Sequence, residues 1–404
     1  GGLAKVTNKE KNYRIKNLEL FNATGFPNKR LEDWKFSDFN EIVNNNFEKL
    51  DAKKTKSNFN KINFVKDFEH NYILLINGNL HSSNFEHEEK NKIKISPNDK
   101  SVTYQISKNP LVCLNHALAR NGYFLEIKKN YKFKKTLLVY NFFTKDIKNK
   151  ILNNKNKILV KENSEIHIIE YNISDSKFKF INNLYENIIL EKNATLKNLC
   201  IQSNDSGGFF YKFLKNKFSF NSDYSNFIFS SGLKFNKLDI ECDLVEKNSR
   251  CKVLSALFLK ENEHQEIKTR INHLAPNCQS YQKIKKVLKS ESKGVFQGKI
   301  YVKDVAQKTN AYQLSKALLL DNNSEFNSKP ELEIYADDVK CSHGSSSGSV
   351  DDDSLYYLMS RGLDKNEATK LLIKGFLNDI IEFIKSKSIR KFVESKLEEQ
   401  INEY

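Results

Sequence analysis

The sequence predicts a mainly β protein, a parallel β-helix flanked by helical regions at both ends. Three observations carry this expectation. From about residue 100, short β-rich runs follow one another, each ended by a polar turn, and helix-like periodicity is largely missing. Asparagine-containing turns recur at Asn163, Asn193, Asn221, Asn248 and Asn277, spaced 30, 28, 27 and 29 residues apart. After residue 350 apolar residues return at helical spacing. A fixed period of roughly 20–50 residues marks stacked supersecondary units. With strands as the unit, each coil pairs with its neighbours in a solenoid.

The elements follow in order. Residues 1–99 are expected to form a mostly helical N-terminal region. Leu18, Leu20 and Phe21, then Ile42 and Val43, suggest helices, broken at Gly25, Phe26 and Pro27. The run Tyr72–Ile76 before Asn77-Gly78 reads as a strand closed by a tight turn. Residues 100–345 are the expected β-helix core. Its strands include Ile158–Val160, Ile166–Tyr171, Asn187–Leu190, Val253–Leu259, Lys299–Val302 and Leu318–Leu320. Asn suits the corners because it tolerates left-handed backbone angles. Two further turns are expected near Ala306 and Asp337. Residues 346–404 form the expected C-terminal helical region. Asp351–Asp353 favour a helix start and Gly362 a helix end. Asp364 and Glu367 have capping-box spacing. The stripe running through Phe376, Ile380 and Phe383, and a third helix around Phe392 and Leu397, need a partner surface. Packing on the β domain and docking of another protein both fit.

Composition narrows the function classes. A chain of 404 residues with 39% hydrophobic residues can bury a sizeable core without disulfides or a structural metal. No apolar run approaches the ~18–20 residues of a spanning helix, and no signal peptide is evident. A soluble, cytoplasmic protein is expected. The single methionine is Met359, so Gly1-Gly2 fits a cleavage scar or a processed start, with a plastid-type organelle as the alternative. The six cysteines, Cys113, Cys200, Cys242, Cys251, Cys278 and Cys341, form no CxxC pair, which argues against a zinc ribbon or a small disulfide framework. The net charge of +16 comes from lysines spread along the chain beside Asn, Ile and Phe. With no nucleic-acid-binding motif beside it, we expect no nucleic-acid partner and no membrane partner.

The chemistry concentrates in KPELEIYADDVKCSHG, residues 329–344. In an extended strand, positions i and i+2 share a face. Cys341 and His343 then point the same way with α-carbons about 6.6 Å apart. Thiolate and imidazole suit iron–sulfur chemistry or zinc, but two ligands leave a four-ligand site half built. The remainder would come from a distant coil or another chain. A buried thiol beside a structural histidine is the plain alternative. Asp337-Asp338 raises a carbohydrate-active β-helix enzyme as a rival, although adjacent strand residues face opposite ways. No phosphate-cradling loop or Ser–His–Asp motif is present, so no catalytic residue is assigned and a non-enzyme is expected.

The stretch KPELEIYADDVKCSHGSSSGSVDDDSLYYLMSRGL, residues 329–363, resembles the C-terminal signature of the SufD branch of the SufB/SufD family. HLAPNCQSYQKIKKVL, GVFQGKIYV and AQKTNAYQ resemble the same family in the same order, as do LNHALARNGYFLEI and RLEDWKFSD upstream. Cys341-Ser342-His343-Gly344 stands where the SufB branch would carry a Glu-His-Glu type sequence. The resemblance implies a right-handed parallel β-helix. It also implies a scaffold subunit of iron–sulfur cluster assembly that pairs with a SufB-like paralogue and a SufC-like ATPase, or with itself when isolated. It implies that a nascent cluster or iron is held transiently at the subunit interface, with His343 as metal contact and Cys341 beside it, and no cofactor held stably by the chain alone. It places ATPase docking on the C-terminal helices, where Phe376, Ile380 and Phe383 are the expected contacts. A SufB-like homodimeric scaffold is the alternative role.

Overall fold

The computed structural model describes residues 7–52, 62–97, 106–202, 207–229 and 233–402. Two sheets, one of ten and one of nine strands, run alongside each other, and from Tyr123–Ile127 onward successive strands of the chain alternate between them. From Leu137 onward every pairing is parallel, and from Ile151 onward each strand pairs with the strand two places earlier. This is a parallel β-solenoid. Antiparallel pairing is confined to the start: Asn71–Ile76 with Asn79–Asn84, and Ile93–Pro97 with Tyr123–Ile127.

The asparagine turns are the corners of the solenoid. Asn163, Asn193, Asn221, Asn248 and Asn277 all have φ between 53° and 63°, the left-handed region that asparagine tolerates. Their side chains also stack. Asn163 donates to Asn130, Asn193 to Asn163, and Asn221 to Asn193, each at 2.8 Å. Near the expected turn at Ala306 the left-handed residue is Lys308, two places on, and Asp337 is not left-handed. The expected strand at Tyr72 is Asn71–Ile76, and Asn77 and Gly78, both with positive φ, make its tight turn.

Two expected boundaries move. The sheets begin at Asn71 rather than near residue 100, because Asn71–Ile76 pairs in parallel with Leu137–Phe143 and belongs to the solenoid. The last strand, Val339–Ser349, carries the sheet slightly beyond residue 345. A helix also interrupts the expected all-β stretch. Pro110–Leu118 is helical because Asn109 caps it, accepting from the Leu111 and Val112 backbone N–H groups, and Pro110 has no N–H to leave unsatisfied.

The helices are α1 (Asn8–Thr24), α2 (Phe39–Asn46), α3 (Pro110–Leu118), α4 (Asp352–Ser360), α5 (Lys365–Ile381) and α6 (Lys387–Asn402). Asp351 caps α4, and Asp364 with Glu367 closes a capping box on α5. No described helix is long and apolar enough to cross a membrane. The core has three layers. Inside the solenoid, Ile166, Ile168, Leu196, Val253 and Ile284 stack coil upon coil. On one outer face α5 and α6 cover Leu138, Leu199, Phe227 and Phe258 with Ile373, Leu377, Ile380 and Leu397. On the other, Trp34, Phe39 and Val43 of the N-terminal segment cover Ile181, Phe209 and Phe235.

Candidate functional site

The two ends of the solenoid differ. At its start, the hairpin strand Asn79–Asn84 and the strand Ile93–Pro97 close the sheets in antiparallel fashion. At its finish, Glu325–Ile334 and Val339–Ser349 are the edge strands of their sheets, and no further coil lies on them. Edge strands present unpaired backbone donors and acceptors and are templates for pairing.

Cys341 and His343 lie on that last strand. Cys341 is in register with Ala311, and His343 with Gln313. Ala311 and Gln313 are buried inward-facing residues of the preceding coil. By strand alternation both candidate side chains therefore face the interior line of the solenoid, at its open mouth. Cys341 is half-buried against Ala311, Ile300 and Ala336, and burial pushes its thiol up. His343 is exposed, and its ring meets no hydrogen-bonding or charged partner among the described residues. The structure thus brings the pair together on one face. Among the described residues no group of three or more His, Cys, Asp or Glu could hold a metal ion.

Beneath His343 runs a polar file. The Gln313 amide donates to the Gly298 carbonyl at 3.1 Å, and Gln282 donates to the Gln313 side-chain oxygen at 3.5 Å. The Thr269 hydroxyl donates to the Gln282 oxygen at 2.6 Å. At the mouth, Ser315 hydrogen-bonds to Ser328 at 2.8 Å and to Ser345 at 3.3 Å.

Sequence reasoning missed a second polar centre deep in the middle coils. The Lys212 ammonium lies 2.9 Å from Glu170 and 3.3 Å from Glu186, with Cys200 beside them along a cavity of about 50 Å³. Burial alone would lower the Lys212 pKa, but Glu170 and then Glu186 outweigh it and hold the lysine charged. Burial, reinforced by Glu170, raises Glu186 to about 7. The signal was available: inward positions of Glu165–Ser174 read Ile166, Ile168, Glu170, a carboxylate in an apolar alternation.

Of the expected docking residues, Phe376 and Phe383 are half-buried and Ile380 is buried. Ile380 is wholly buried, and it packs with α5 and α6 onto the solenoid. Phe376 lies under the Lys285 ammonium at 4.5 Å, and Phe383 packs against Tyr281 at 5.9 Å. The stripe is used within the chain because the outer face of the sheet is itself apolar and needs a cover. The exposed apolar side chains of this region are instead Tyr356, Tyr357 and Met359 on α4 and Leu371 on α5. Asp337 and Asp338 sit exposed in the turn before the last strand.

Similarity to known proteins agrees with this architecture. A family model described as "SUF system FeS cluster assembly, SufBD core domain" matches residues 142–376. The iron–sulfur cluster assembly protein SufD of Escherichia coli is 23% identical over 391 residues, covering 95% of this chain and 91% of that protein. The chloroplastic protein ABCI7 of Arabidopsis thaliana is 30% identical over 236 residues, 58% of this chain and 50% of that protein. A SufBD-family iron–sulfur cluster assembly protein of Synechocystis is 28% identical over 241 residues, 58% of this chain and 53% of its own length. The matched core spans the coils that carry the polar centre, the open mouth and the Cys341–His343 pair, and the chain belongs to the SufBD family of SUF-system iron–sulfur cluster assembly proteins.

Proposed function

We propose that this chain is a SufD-type scaffold subunit, without catalytic activity of its own, whose open solenoid end pairs with a SufB-like paralogue. The observation that carries the reading is the position of Cys341 and His343. They occupy the inward face of an edge strand that no later coil covers. A thiol and an imidazole supply two donors of a site that a facing chain can complete. The edge strand supplies the backbone groups through which that chain can add in register. The nascent cluster is the cargo of such an interface. His343, exposed and uncommitted, is the contact for iron. Cys341, with its thiol held protonated by burial, is the weaker contact.

A SufC-like ATPase is the second partner in this reading. Its docking surface is α4 with the start of α5, where Tyr356 is 75% and Tyr357 56% exposed. Large aromatic side chains left exposed together are the usual anchors of an interface. The test is anaerobic co-purification of the chain with SufB-like and SufC-like partners, followed by iron and sulfide analysis. The wild-type complex should carry cluster. The His343→Ala complex should assemble and carry little. Tyr356→Asp with Tyr357→Asp should release the ATPase while the paralogue stays bound. A fully loaded His343→Ala complex would remove the histidine from the site, and an ATPase retained by the double variant would move its docking surface elsewhere.

A further inference from the structure

The outward face of the ten-stranded sheet carries two adjacent rows of side chains. His167, Lys197, Ser225 and Lys252 are in register across four strands. Two residues further along the same strands, Ile169, Leu199, Phe227 and Leu254 form the next row. Neighbouring positions within a row are about 4.8 Å apart, and the rows are about 6.6 Å apart. A polar row therefore borders an apolar row. The connection from α5 to α6, with Phe383 and Ile384, stands over this border together with Ile389 in the first turn of α6. Between sheet and connection lies a cavity of about 410 Å³. That volume falls in the range of roughly 300–1,000 Å³ typical of small-molecule pockets.

The charges around the cavity are not balanced. Asp223 is paired with Arg250 at 3.3 Å, and Glu165 with His167 at 2.9 Å. Lys197, Lys252 and Lys385 line the cavity, and their ammonium groups have no ion-pair or hydrogen-bond partner among the described residues. The same seam between helix and sheet looks different one strand further on. There Asp379 of α5 takes Lys283 at 2.5 Å and Lys285 at 2.9 Å, and Lys285 also covers Phe376. Where the seam is closed the outward lysines are neutralised by the helix, and where it opens they are left to the cavity.

We propose that this seam cavity binds a small amphipathic anion. Its apolar body, an acyl chain or a fused ring system, lies on Leu199, Phe227 and Leu254 beneath Phe383 and Ile389. Its carboxylate or phosphate is held between Lys197 and Lys252, with Lys385 closing from above. The ligand's own apolar body, removed from water against this lining, supplies most of the affinity. The lysines supply the choice of charge, through charge-assisted contacts at the partly enclosed rim.

The experiment titrates the full chain calorimetrically with dodecanoate and dodecyl phosphate. Dodecanol, dodecyltrimethylammonium and inorganic phosphate are the controls. At least one of the two anions should bind saturably at one site, and the stronger of them shows which headgroup is preferred. The controls should bind about tenfold more weakly or worse, a difference of ~1.4 kcal/mol. Lys197→Gln with Lys252→Gln should lower affinity for the anion about tenfold and leave dodecanol unchanged. The doubly Arg-substituted variant should retain the affinity, and both variants should melt as the parent does. Absence of saturable anion binding, equal binding of the alkylammonium ion, equal binding of inorganic phosphate, or an unchanged Gln variant would each overturn the proposal.

Discussion

The middle coils and the last coil share one register but live in different environments. Gln282, Gln313 and His343 occupy the same inward row on successive strands of one sheet. Gln282 and Gln313 are fully buried and hydrogen-bonded to each other, whereas His343 is exposed and uncommitted. Lys212, on the nine-stranded sheet that lines the same interior, is caught between two carboxylates. In a solenoid, each coil is covered by the next. A polar side chain becomes structural when a coil lies on both sides of it and stays available when one side is open. The chemistry of the last coil is thus a consequence of where the stacking stops.

The largest way to break this comparison is to remove a buried charge from the middle. Lys212→Ala leaves Glu170 and Glu186 facing each other in the interior without a cation. Breaking a buried ion pair in this way costs about 3–5 kcal/mol. Denaturant unfolding of the two proteins reads the loss. A change below about 1 kcal/mol would mean that the middle is as forgiving as the end, and the contrast would fall.

Adding a single methyl group tests packing in the same way. A β-carbon at Gly298 would sit 2.2 Å from the Gln313 side-chain oxygen and 2.7 Å from the Phe296 ring. Gly298→Ala should destabilise by about 1–3 kcal/mol through overpacking. A β-carbon at Gly348, on the last strand, meets nothing within 4 Å. Gly348→Ala should stay within about 0.5 kcal/mol of the parent. Equal melting temperatures for the two variants would contradict the reading.

The same contrast explains what was legible in the sequence. The asparagine corners could be read because asparagine adopts the left-handed angle readily: all five expected asparagine turns do so, whereas Ala306 and Asp337 do not. The pairing of Cys341 with His343 on one face could be read because strand alternation is local. The cover of α5 and α6 over the sheet could not. An apolar stripe at Ile380 states that a partner surface exists, and only the fold says that the partner is Leu138 and Phe227 of the same chain. Nor could the start of the solenoid be placed, because Asn71–Ile76 becomes a coil strand only by pairing with Leu137–Phe143, over sixty residues later. Long-range pairing leaves little trace in local composition.

A pH experiment sharpens the comparison at smaller amplitude. Burial and Glu170 raise Glu186 from its ordinary 4.5 to about 7 in the folded chain. Between these values the folded state binds more protons at this site than the unfolded state. Stability from this group is therefore full below about pH 4.5 and is lost as the pH rises toward 7. Glu266 gives the opposite limb. Burial would raise it, but Lys237 and then His264 outweigh burial and lower it to about 2, so its contribution is lost as pH falls from 4.5 toward 2. Glu186→Gln should abolish the decline between pH 4.5 and 7 and leave the acid limb intact. Persistence of that decline in the variant would assign it to another group.

The smallest expected effect on the fold belongs to His343, and it is the most informative for function. The side chain is exposed on an edge strand and holds no partner among the described residues. Its removal takes away no buried hydrogen bond and leaves no cavity. His343→Ala should therefore unfold within about 0.5 kcal/mol of the parent, as surface substitutions away from caps and buried networks do. Gln313→Ala, one coil inward on the same row, removes a side chain bonded to Gly298 and Gln282, and should cost about 1–3 kcal/mol by leaving buried polar groups unmatched. Cluster content of the anaerobic complex should rank the two the other way. It should collapse for His343→Ala and follow only the stability loss for Gln313→Ala. A His343→Ala chain that is destabilised as much as Gln313→Ala would show that the mouth of the solenoid is packed like its middle, and the open end would lose its claim as the assembly site.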